Sequence, residues 1–319
     1  MGNMYTLSKI ADEYCVAEDD LDYYANSHNI NLGNKRKSLQ QLLPFIEDVP
    51  DRVFKTLNES HTEFQYEDKK ISIYQDDAIS FLKKLPPNSV DVIVTDPAYS
   101  GMNNKLKLGK GRIVGKYSDK GTSEGKWFSE FEDSEENYTL FLSECKRVLK
   151  ESTGHIYLMF DSFSLLSLGN VVRDFFDVKN IITWDKVNIG MGHYYRRRHE
   201  YVIFSTNGNT RKIKNRSFPD VWQFKRIHNS KYPTQKPVEV FQAMIYASTE
   251  DKFTVCDPFL GSASSAIAAI KNNCNFIGCD ISDKAMEISK ERIGEYLSSG
   301  VDILQKKSSA IESGKVFWE

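Results

Sequence analysis

Hydrophobic and polar positions follow two different patterns along this chain from about residue 70 onwards. Short apolar runs, which are typical of buried strands, occupy 71–74, 90–95, 155–160, 180–184, 201–205, 253–256 and 275–279. Apolar residues at helical spacing occupy 78–85, 138–150, 164–175, 237–248, 264–271 and 283–297. Strands that alternate with helices predict an α/β fold, doubly wound around a mostly parallel sheet.

The first part of the chain has a different pattern and predicts a small helical appendage over residues 1–65. Residues 5–49 carry apolar positions at the spacing of short helices. Two of these segments, 7–11 and 21–24, have the rhythm of a helix-turn-helix, but the second is acidic and the turn has no glycine. DNA contact and simple packing therefore both stay open for the appendage. Residues 66–300 are predicted to form the main domain, and 301–319 an irregular tail.

The composition is that of an ordinary globular protein, with 40% hydrophobic and 27% charged residues over a length of 319. No run approaches the roughly 20 apolar residues of a membrane span, and the acidic N-terminal region does not resemble a signal peptide. The five cysteines are scattered and include no C-x-x-C pair. We therefore expect reduced thiols, a cytoplasmic location, no membrane association and no metal site.

The net charge of −2 conceals two basic clusters, and their positions matter more than the sum. The first lies in a glycine-punctuated stretch and includes Lys105, Lys107 and Arg112. The second lies between 196 and 231 and includes Arg196, Arg197, Arg216, Lys225 and Arg226. Both clusters flank segments with candidate chemistry. Phosphate contact is therefore favoured over a merely solvated surface.

The end of the predicted strand 90–95 carries the most informative motif, Asp96-Pro97-Ala98-Tyr99. The Asp96 carboxylate and the Pro97 carbonyl would accept the two hydrogens of an exocyclic amine, and the Tyr99 ring would stack on the flat heterocycle that bears it. Taken alone, such a tetrapeptide also serves as an ordinary stop between a strand and a loop. A second strand-end motif downstream gives it more weight.

The second motif follows the predicted strand 253–256 and turns the chain with small residues over 257–263. Small residues there let a ligand approach the backbone at the carboxyl end of a strand. Asp280 ends the next strand about twenty residues later, where a carboxylate accepts hydrogen bonds from ribose hydroxyls. Because the glycine pattern is not that of a dinucleotide site, the pair of motifs predicts a nucleoside pocket; the alternative is a structural turn and a chance Asp.

Together with the segment Tyr-Pro-Thr-Gln-Lys-Pro at 232–237, these motifs resemble the β class of S-adenosylmethionine-dependent DNA amino-methyltransferases, the adenine-N6 and cytosine-N4 family. The likeness runs from about 71 to 297 and includes Asp77, the segment 198–201 and the turn 257–261. In this class the catalytic tetrapeptide precedes the cofactor half. The resemblance implies a seven-stranded, circularly permuted methyltransferase sheet, S-adenosylmethionine as cofactor and double-stranded DNA as partner.

The resemblance also implies a role for each matching residue. Around the methionine part and sugar of the cofactor it places Asp257, Phe259, Gly261 and Ser262, with Asp280 on the ribose hydroxyls. Against the adenine ring it places Asp77 and Ala78. On the side of the methionine carboxylate it places Thr234, Lys236 and Pro237; a lysine suits a carboxylate physically, as a compact cation.

The implied chemistry is methyl transfer to a base rotated out of the duplex, with Asp96, Pro97 and Tyr99 as the catalytic residues. The family usually has proline where this chain has Ala98, but both hydrogen-bonding groups and the ring are retained. Asp at the first position favours adenine N6 over cytosine N4. A cytosine-N4 enzyme stays the nearest alternative, and a non-catalytic subunit that binds S-adenosylmethionine and DNA is a more distant one.

Recognition of the DNA sequence is predicted to fall to the polar segment 206–230, because Arg and Gln side chains pair with base edges in the major groove. A mobile loop over 101–125 would close on the target strand. The class also implies a possible homodimer and a possible partner restriction endonuclease. The recognition sequence itself does not follow from these residues.

Overall fold

The structure is a computed structural model, and it describes residues 61–97, 131, 134–190, 194–208, 211–228, 231–232 and 235–309. Several predictions lie outside the described residues. They concern the helices of the appendage, the loop 101–125, the segment 310–319, and the residues Ala98, Tyr99, Lys105, Lys107, Arg112 and Thr234.

Strands and helices alternate along the described chain as the hydrophobic pattern predicts. The strands are β1 (His61–Tyr66), β2 (Lys69–Gln75), β3 (Val92–Thr95), β4 (His155–Phe160), β5 (Asp177–Asp185), β6 (His199–Thr206), β7 (Val221–Gln223), β8 (Thr254–Asp257) and β9 (Asn275–Asp280). The helices are α1 (Ala78–Lys84), α2 (Glu135–Val148), α3 (Ser162–Phe175), α4 (Val238–Ser248), α5 (Ser264–Lys271) and α6 (Asp283–Ser299). Residues 301–309 form neither helix nor strand.

One sheet contains all the strands of the described residues, in the order β1-β2-β9-β8-β3-β4-β6-β5-β7. The five strands from β2 to β4 in this order are mutually parallel, whereas β6 is antiparallel to both of its neighbours. The predicted α/β class and mostly parallel sheet are therefore confirmed. The sheet has nine strands rather than the predicted seven.

The two additional strands lie at the edges of the sheet, which explains why the hydrophobic pattern did not reveal them. β1 alternates exposed and half-buried residues and has no apolar run. β7 has three residues and buries one of them, Trp222. An edge strand is paired on one side only and needs little apolar surface, so its sequence carries a weak signal.

Hydrophobic clusters cover both faces of the sheet, as a doubly wound fold requires. Successive side chains of a strand point to opposite faces. In β3, Val92 and Val94 accordingly belong to one cluster, and Ile93 belongs to the other. Helices α4 and α5 contribute to the first cluster, whereas α2 and α3 contribute to the second. Within the described residues, no helix combines the length and apolarity needed to cross a bilayer.

Candidate functional site

A row of carboxylates lies along the edge where the parallel strands end. Because β2, β9, β8, β3 and β4 run in the same direction, their carboxyl ends share one edge, which is where open α/β sheets bind ligands. In sheet order, the acidic residues that end or follow these strands are Asp76 and Asp77, Asp280, Asp257, Asp96 and Asp161. Both strand-end motifs of the sequence are thereby brought together.

Asp96 directly follows β3, and the ammonium group of Lys236 forms an ion pair with its Oδ2. Lys236 Nζ also lies 3.8 Å from Glu200 Oε2, and Glu200 Oε1 accepts a hydrogen bond from Lys186 Nζ at 2.9 Å. Burial disfavours the charged ammonium, but Asp96 and Glu200 outweigh burial and raise the pKa of Lys236. Lys236 is therefore a cation held between two carboxylates.

The ion pair of Lys236 with Asp96 is a different contact from the predicted one, in which this lysine binds the methionine carboxylate of the cofactor. The segment that carries the lysine is anchored on both sides, because Ser264 Oγ donates to the Lys236 carbonyl at 2.8 Å and Gln305 Oε1 accepts from Val238 N–H at 2.8 Å. Pro237 is buried and is the N-cap residue of α4, where a missing N–H interrupts no hydrogen bond of the helix. The predicted cofactor contact of Lys236 stays a prediction.

Asp257 joins the two motifs from inside the protein. Only 1% of the residue is exposed. Its Oδ1 accepts from Thr95 Oγ1 at 2.8 Å and from Phe259 N–H at 3.0 Å, while Oδ2 accepts from Ser265 Oγ at 2.5 Å. Burial raises the pKa of Asp257 to about 7, although these donors oppose the shift. Asp257 thus fastens the turn after β8 to the residue next to Asp96.

The turn 257–263 and the end of β9 form one hydrogen-bonded unit around Asp280. Asp280 Oδ2 accepts from Gly261 N–H at 2.8 Å, and Oδ1 accepts from Ser282 N–H at 2.9 Å. Burial raises the pKa of Asp280 against the effect of these two donors. Gly261 has a φ of 53°, in the left-handed region that glycine adopts without a steric penalty. The glycine therefore allows the chain to turn close to the Asp280 carboxylate.

Tyr232 is a residue of this site that sequence analysis used only as part of a motif. It is 5% exposed, and a Cβ added to Gly261 would lie 3.5 Å from its hydroxyl oxygen. Burial raises the pKa of Tyr232, and the negative charges of Asp280 and Asp96 add to the shift. The ring therefore lies close to both motifs. An aromatic residue within a proline-bracketed segment was the available signal.

The remaining residues of the predicted cofactor pocket lie around the same edge. Asp77 caps α1 and accepts from Ile79 N–H and Ser80 N–H, and Ala78 behind it is buried. Asp76 N–H donates to the Asp280 carbonyl at 3.2 Å, so this cap adjoins the end of β9. Phe259 packs edge-on against Phe131 and Phe141. The Ser262 carbonyl accepts from the buried guanidinium of Arg292 at 2.7 Å.

The predicted DNA-contacting residues divide into two groups. Arg196 and Arg197 lie just before β6 at the Asp96 edge, where Arg197 Nη1 donates to Asp161 Oδ2 at 3.2 Å. Lys225 and Arg226 are exposed after β7, which runs parallel to β5 towards the same edge.

Arg216 does not join this surface. It follows Lys214, whose N–H donates to the carbonyl of Ala247 at 2.9 Å, near the end of α4. Helix α4 has 11 residues, so its two ends are about 16 Å apart. Lys236 precedes the other end. Arg216 therefore lies towards the opposite edge of the sheet from Asp96.

The chain matches a family model described as DNA methylase, of the N6 and N4 type, over residues 90–291. It is 27% identical to the Type II methyltransferase M2.MboI of Moraxella bovis over 73% of this chain and 90% of the relative. It is 30% identical to the Type II methyltransferase M.HhaII of Haemophilus parahaemolyticus over 64% of this chain and 87% of the relative. It is 27% identical to the DNA adenine methyltransferase YhdJ of Escherichia coli over 70% of this chain and 82% of the relative.

Among solved structures, the fold is similar to that of the cytosine-N4-specific PvuII DNA methyltransferase, with a TM-score of 0.53 over 74% of this chain and 93% of that one. The two sequences are 16% identical. The fold is thus one that carries amino-methylation of DNA in another protein.

Proposed function

The chain belongs to the N6/N4 DNA methylase family and is a DNA methyltransferase, and from this premise we propose that it methylates the exocyclic N6 amine of adenine in duplex DNA. The observation that carries the proposal is the juxtaposition of Asp96 with the turn 257–261 and Asp280 at one edge of the sheet. The carboxylates that would bind the target amine and the cofactor ribose then lie at the same edge of the sheet.

The residues present fit S-adenosylmethionine as the methyl donor. The cofactor carries a ribose, an adenine ring and a methionine end, and when bound it supplies a methyl group on a positively charged sulfur. Asp280 would hold the ribose hydroxyls beside Gly261, while Asp77 and Ala78 would lie against the ring. Phe259, Ser262, Thr234 and Pro237 would enclose the rest.

The carboxylates of the site also suit the charge of such a ligand. Several acidic groups at one edge of the sheet attract a cationic sulfonium. Asp257 is buried and fully hydrogen-bonded within the protein, so we propose that it shapes the turn around the methionine part rather than contacting solvent.

Asp96 and Pro97 would prepare the target amine for transfer. A base inside a duplex is inaccessible, so the target must rotate out of the stack. Its amine would donate one hydrogen to the Asp96 carboxylate and the other to the Pro97 carbonyl, while Tyr99 stacks on the ring. Two such bonds aim the nitrogen lone pair, which is otherwise delocalised into the ring. Catalysis then rests on positioning and electrostatics.

Adenine is proposed over cytosine on two grounds. Asp, rather than Ser, opens the tetrapeptide, and one relative of comparable identity is named a DNA adenine methyltransferase. Cytosine N4 is the alternative, because the family model covers both amines and both present an NH2 group on a flat ring.

We also propose that residues 66–300, together with the rest of strand β1 from His61, form the catalytic domain. Within the segment 206–230, we propose that the part after β7 reads the DNA sequence, because it lies at the Asp96 edge. The exposed side chains of Arg196, Lys225 and Arg226 at the Asp96 edge support contact with the phosphate backbone. Lys105, Lys107 and Arg112, in the loop 101–125, would add to it. The names of the Type II relatives favour an accompanying restriction endonuclease, which would cleave the unmodified site. The homodimer and the cytoplasmic location also stay proposals.

Methylation of unmodified DNA by the purified protein tests this function. Radiolabelled S-adenosylmethionine supplies the methyl group, and nucleosides from the digested DNA are separated by mass. We expect N6-methyladenine with the wild type and none with Asp96→Ala. N4-methylcytosine would keep the enzyme class and reverse the base; no labelled nucleoside from a folded protein that binds the cofactor would refute the proposal.

A further inference from the structure

Two adjacent tyrosines near the site are almost completely exposed. Tyr194 is 93% exposed and Tyr195 is fully exposed. Most aromatic side chains of the described residues are at least partly buried, and the next most exposed, Phe163, is covered by the guanidinium of Arg197 at 4.5 Å. Large aromatic side chains bring most of their binding energy by leaving water. Two such rings side by side in solvent indicate a surface that binds a partner.

Residue 190 and residues 196–198, close to the tyrosines in the chain, are held by hydrogen bonds and an ion pair. The tyrosines lie between β5 and β6, in a connection described over 186–190 and 194–198. Arg198 makes a two-pronged ion pair with Asp185, with both N–O distances 2.6 Å. Gly190 N–H donates to the Arg197 carbonyl at 2.7 Å, and the Gly190 carbonyl accepts from Arg196 Nε at 2.7 Å. The described residues around the rings are therefore held in place, which lowers the cost in conformational entropy on binding.

The connection is tied directly to the catalytic edge of the sheet. Glu200 is the second residue of β6, shortly after the tyrosines, and its Oε2 lies 3.8 Å from Lys236 Nζ, which is paired with Asp96. Arg197 binds Asp161 at the end of β4. On its other side, Asn188 lies 3.4 Å from His228, which belongs to the basic segment after β7. The connection that carries the tyrosines thus contacts both the Asp96 edge and the segment after β7.

We propose that Tyr194 and Tyr195 form an aromatic wedge that enters the DNA duplex at the target base pair. This inference rests on the proposed function, in which the target base leaves the stack. A base that rotates out leaves a gap, and DNA-binding proteins insert apolar side chains between base steps to hold such distortions open. A tyrosine ring offers a flat face to the neighbouring bases.

Duplex DNA suits this surface better than another protein does. Arg196 is exposed beside the rings, and the nearby Lys225 and Arg226 are also exposed. Arg197 keeps 40% of its side chain exposed while paired with Asp161. Cations around a pair of rings match a phosphate backbone around stacked bases.

The test compares a double variant, Tyr194→Ala with Tyr195→Ala, with a matched double variant, Tyr194→Phe with Tyr195→Phe. Each is assayed on a duplex that carries the site modified by the wild type, and on the same duplex with a mispair at the target base. Stacking on one base contributes about tenfold to hundredfold. We expect the Ala variant to lose at least about tenfold in kcat/KM on the paired duplex and to recover most of it on the mispaired duplex, because a mispaired base costs less to extrude. The Phe variant keeps the ring and should match the wild type within about threefold.

A second readout does not depend on methyl transfer. Iododeoxyuridine next to the target should photocrosslink to Tyr194 or Tyr195 in the wild type, and a crosslink confined to other residues would overturn the wedge. Unchanged kcat/KM in the Ala variant would also overturn it, and so would an equal loss on paired and mispaired duplexes or an equal loss in the Phe variant. A wild type that crosslinks at these tyrosines but forms N4-methylcytosine rather than N6-methyladenine would support the wedge and refute the proposed target base instead.

Discussion

At the scale of single residues, the ion pair between Lys236 and Asp96 separates two roles for the lysine. The sequence resemblance places Lys236 on the carboxylate of the cofactor, whereas the structure places its ammonium group on the acid that would bind the target amine. The two roles affect different kinetic quantities. A cofactor contact governs the Kd for S-adenosylmethionine, and a contact with Asp96 governs the rate of transfer.

We predict that Lys236→Met lowers kcat by about tenfold or more and changes the cofactor Kd by less than about threefold, because the lysine orients Asp96. Adding Lys236→Met to Asp96→Asn should then cost little further, since residues that act as one unit are not additive. Lys150→Met is the matched control, because Lys150 pairs with Asp91 just before β3, at the opposite end of that strand from Asp96. A large rise in Kd with unchanged kcat would instead establish the cofactor role.

Asp280 gives the corresponding test of the cofactor pocket. We predict that Asp280→Ala weakens S-adenosylmethionine binding by about tenfold or more, because a hydrogen bond to a charged group contributes about 1.5–3 kcal/mol. The variant also frees Gly261 N–H from its acceptor. Asp283→Ala, three residues later and exposed, should bind the cofactor normally. Calorimetry on both variants measures the difference, and wild-type affinity in Asp280→Ala would remove this residue from the pocket.

At the scale of elements, the sequence predicted most of the strands and helices between 71 and 299 to within a few residues. Apolar runs and apolar residues at helical spacing indicate burial, and these strands and helices are all buried on at least one side. β7 instead lies within the polar segment 206–230, for which no strand was predicted, because three residues at an edge leave no pattern. Motif positions were predictable for the same reason: Asp96 and Asp280 end buried strands.

Contacts between distant segments were not predictable. Glu200 reaches Lys236 from β6, and Tyr232 packs on Gly261 from a loop. Neither partner shares a sequence period with the other, so only the folded chain brings them together. The resemblance supplied the motifs but not the pairing of Lys236 with Asp96.

The segment 302–309 forms a strap across the start of α4, and Glu239 is its main anchor. Glu239 accepts from Gln305 Nε2 at 2.6 Å, from Ser308 Oγ at 2.8 Å, and from the backbone and side chain of Ser309. Burial opposes the carboxylate, but these donors lower its pKa overall. The strap therefore stabilises the start of α4, just after Lys236.

We predict that Glu239→Ala lowers the free energy of unfolding by about 2–4 kcal/mol, because several buried donors lose their acceptor. The stabilisation by the Glu239 carboxylate is fully present above the ordinary pKa of the group. It is lost as the pH falls through the lowered pKa that the group has in the folded protein. Glu287→Ala on the exposed face of α6 should change stability by less than about 0.5 kcal/mol. Urea unfolding of both variants measures the two free energies of unfolding, and equal values would mean that the strap does not stabilise α4.

At the scale of the whole molecule, His155 makes global stability depend on pH. It is buried at the start of β4, where its ring nitrogens lie 2.7 Å from Ser248 Oγ and 3.1 Å from the Arg211 carbonyl. Burial, reinforced by the positive charge of Arg211, lowers the pKa of His155 from 6.5 to about 4. The unfolded chain therefore binds a proton at a higher pH than the folded protein does.

We predict that the low pKa of His155 lowers the free energy of unfolding by up to about 3 kcal/mol as the pH falls from 6.5 to about 4. His155→Gln should flatten that part of the stability profile, relative to the wild type. Asp257, whose pKa is raised to about 7, acts in the opposite direction, since its contribution is lost as the pH rises towards that value. Asp257 is present in both the wild type and His155→Gln and affects both equally. Parallel curves of stability against pH for the two proteins would therefore refute the role of His155.

The most direct test of the central claim is methylation inside a cell. The wild type and Asp96→Ala are expressed in a bacterium that lacks DNA methylation, and the DNA is read by single-molecule sequencing. We predict N6-methyladenine at one defined sequence with the wild type and none with Asp96→Ala. The same modification in both strains, or none in either despite folded protein that binds S-adenosylmethionine, would contradict the assignment of Asp96 and its strand-end site.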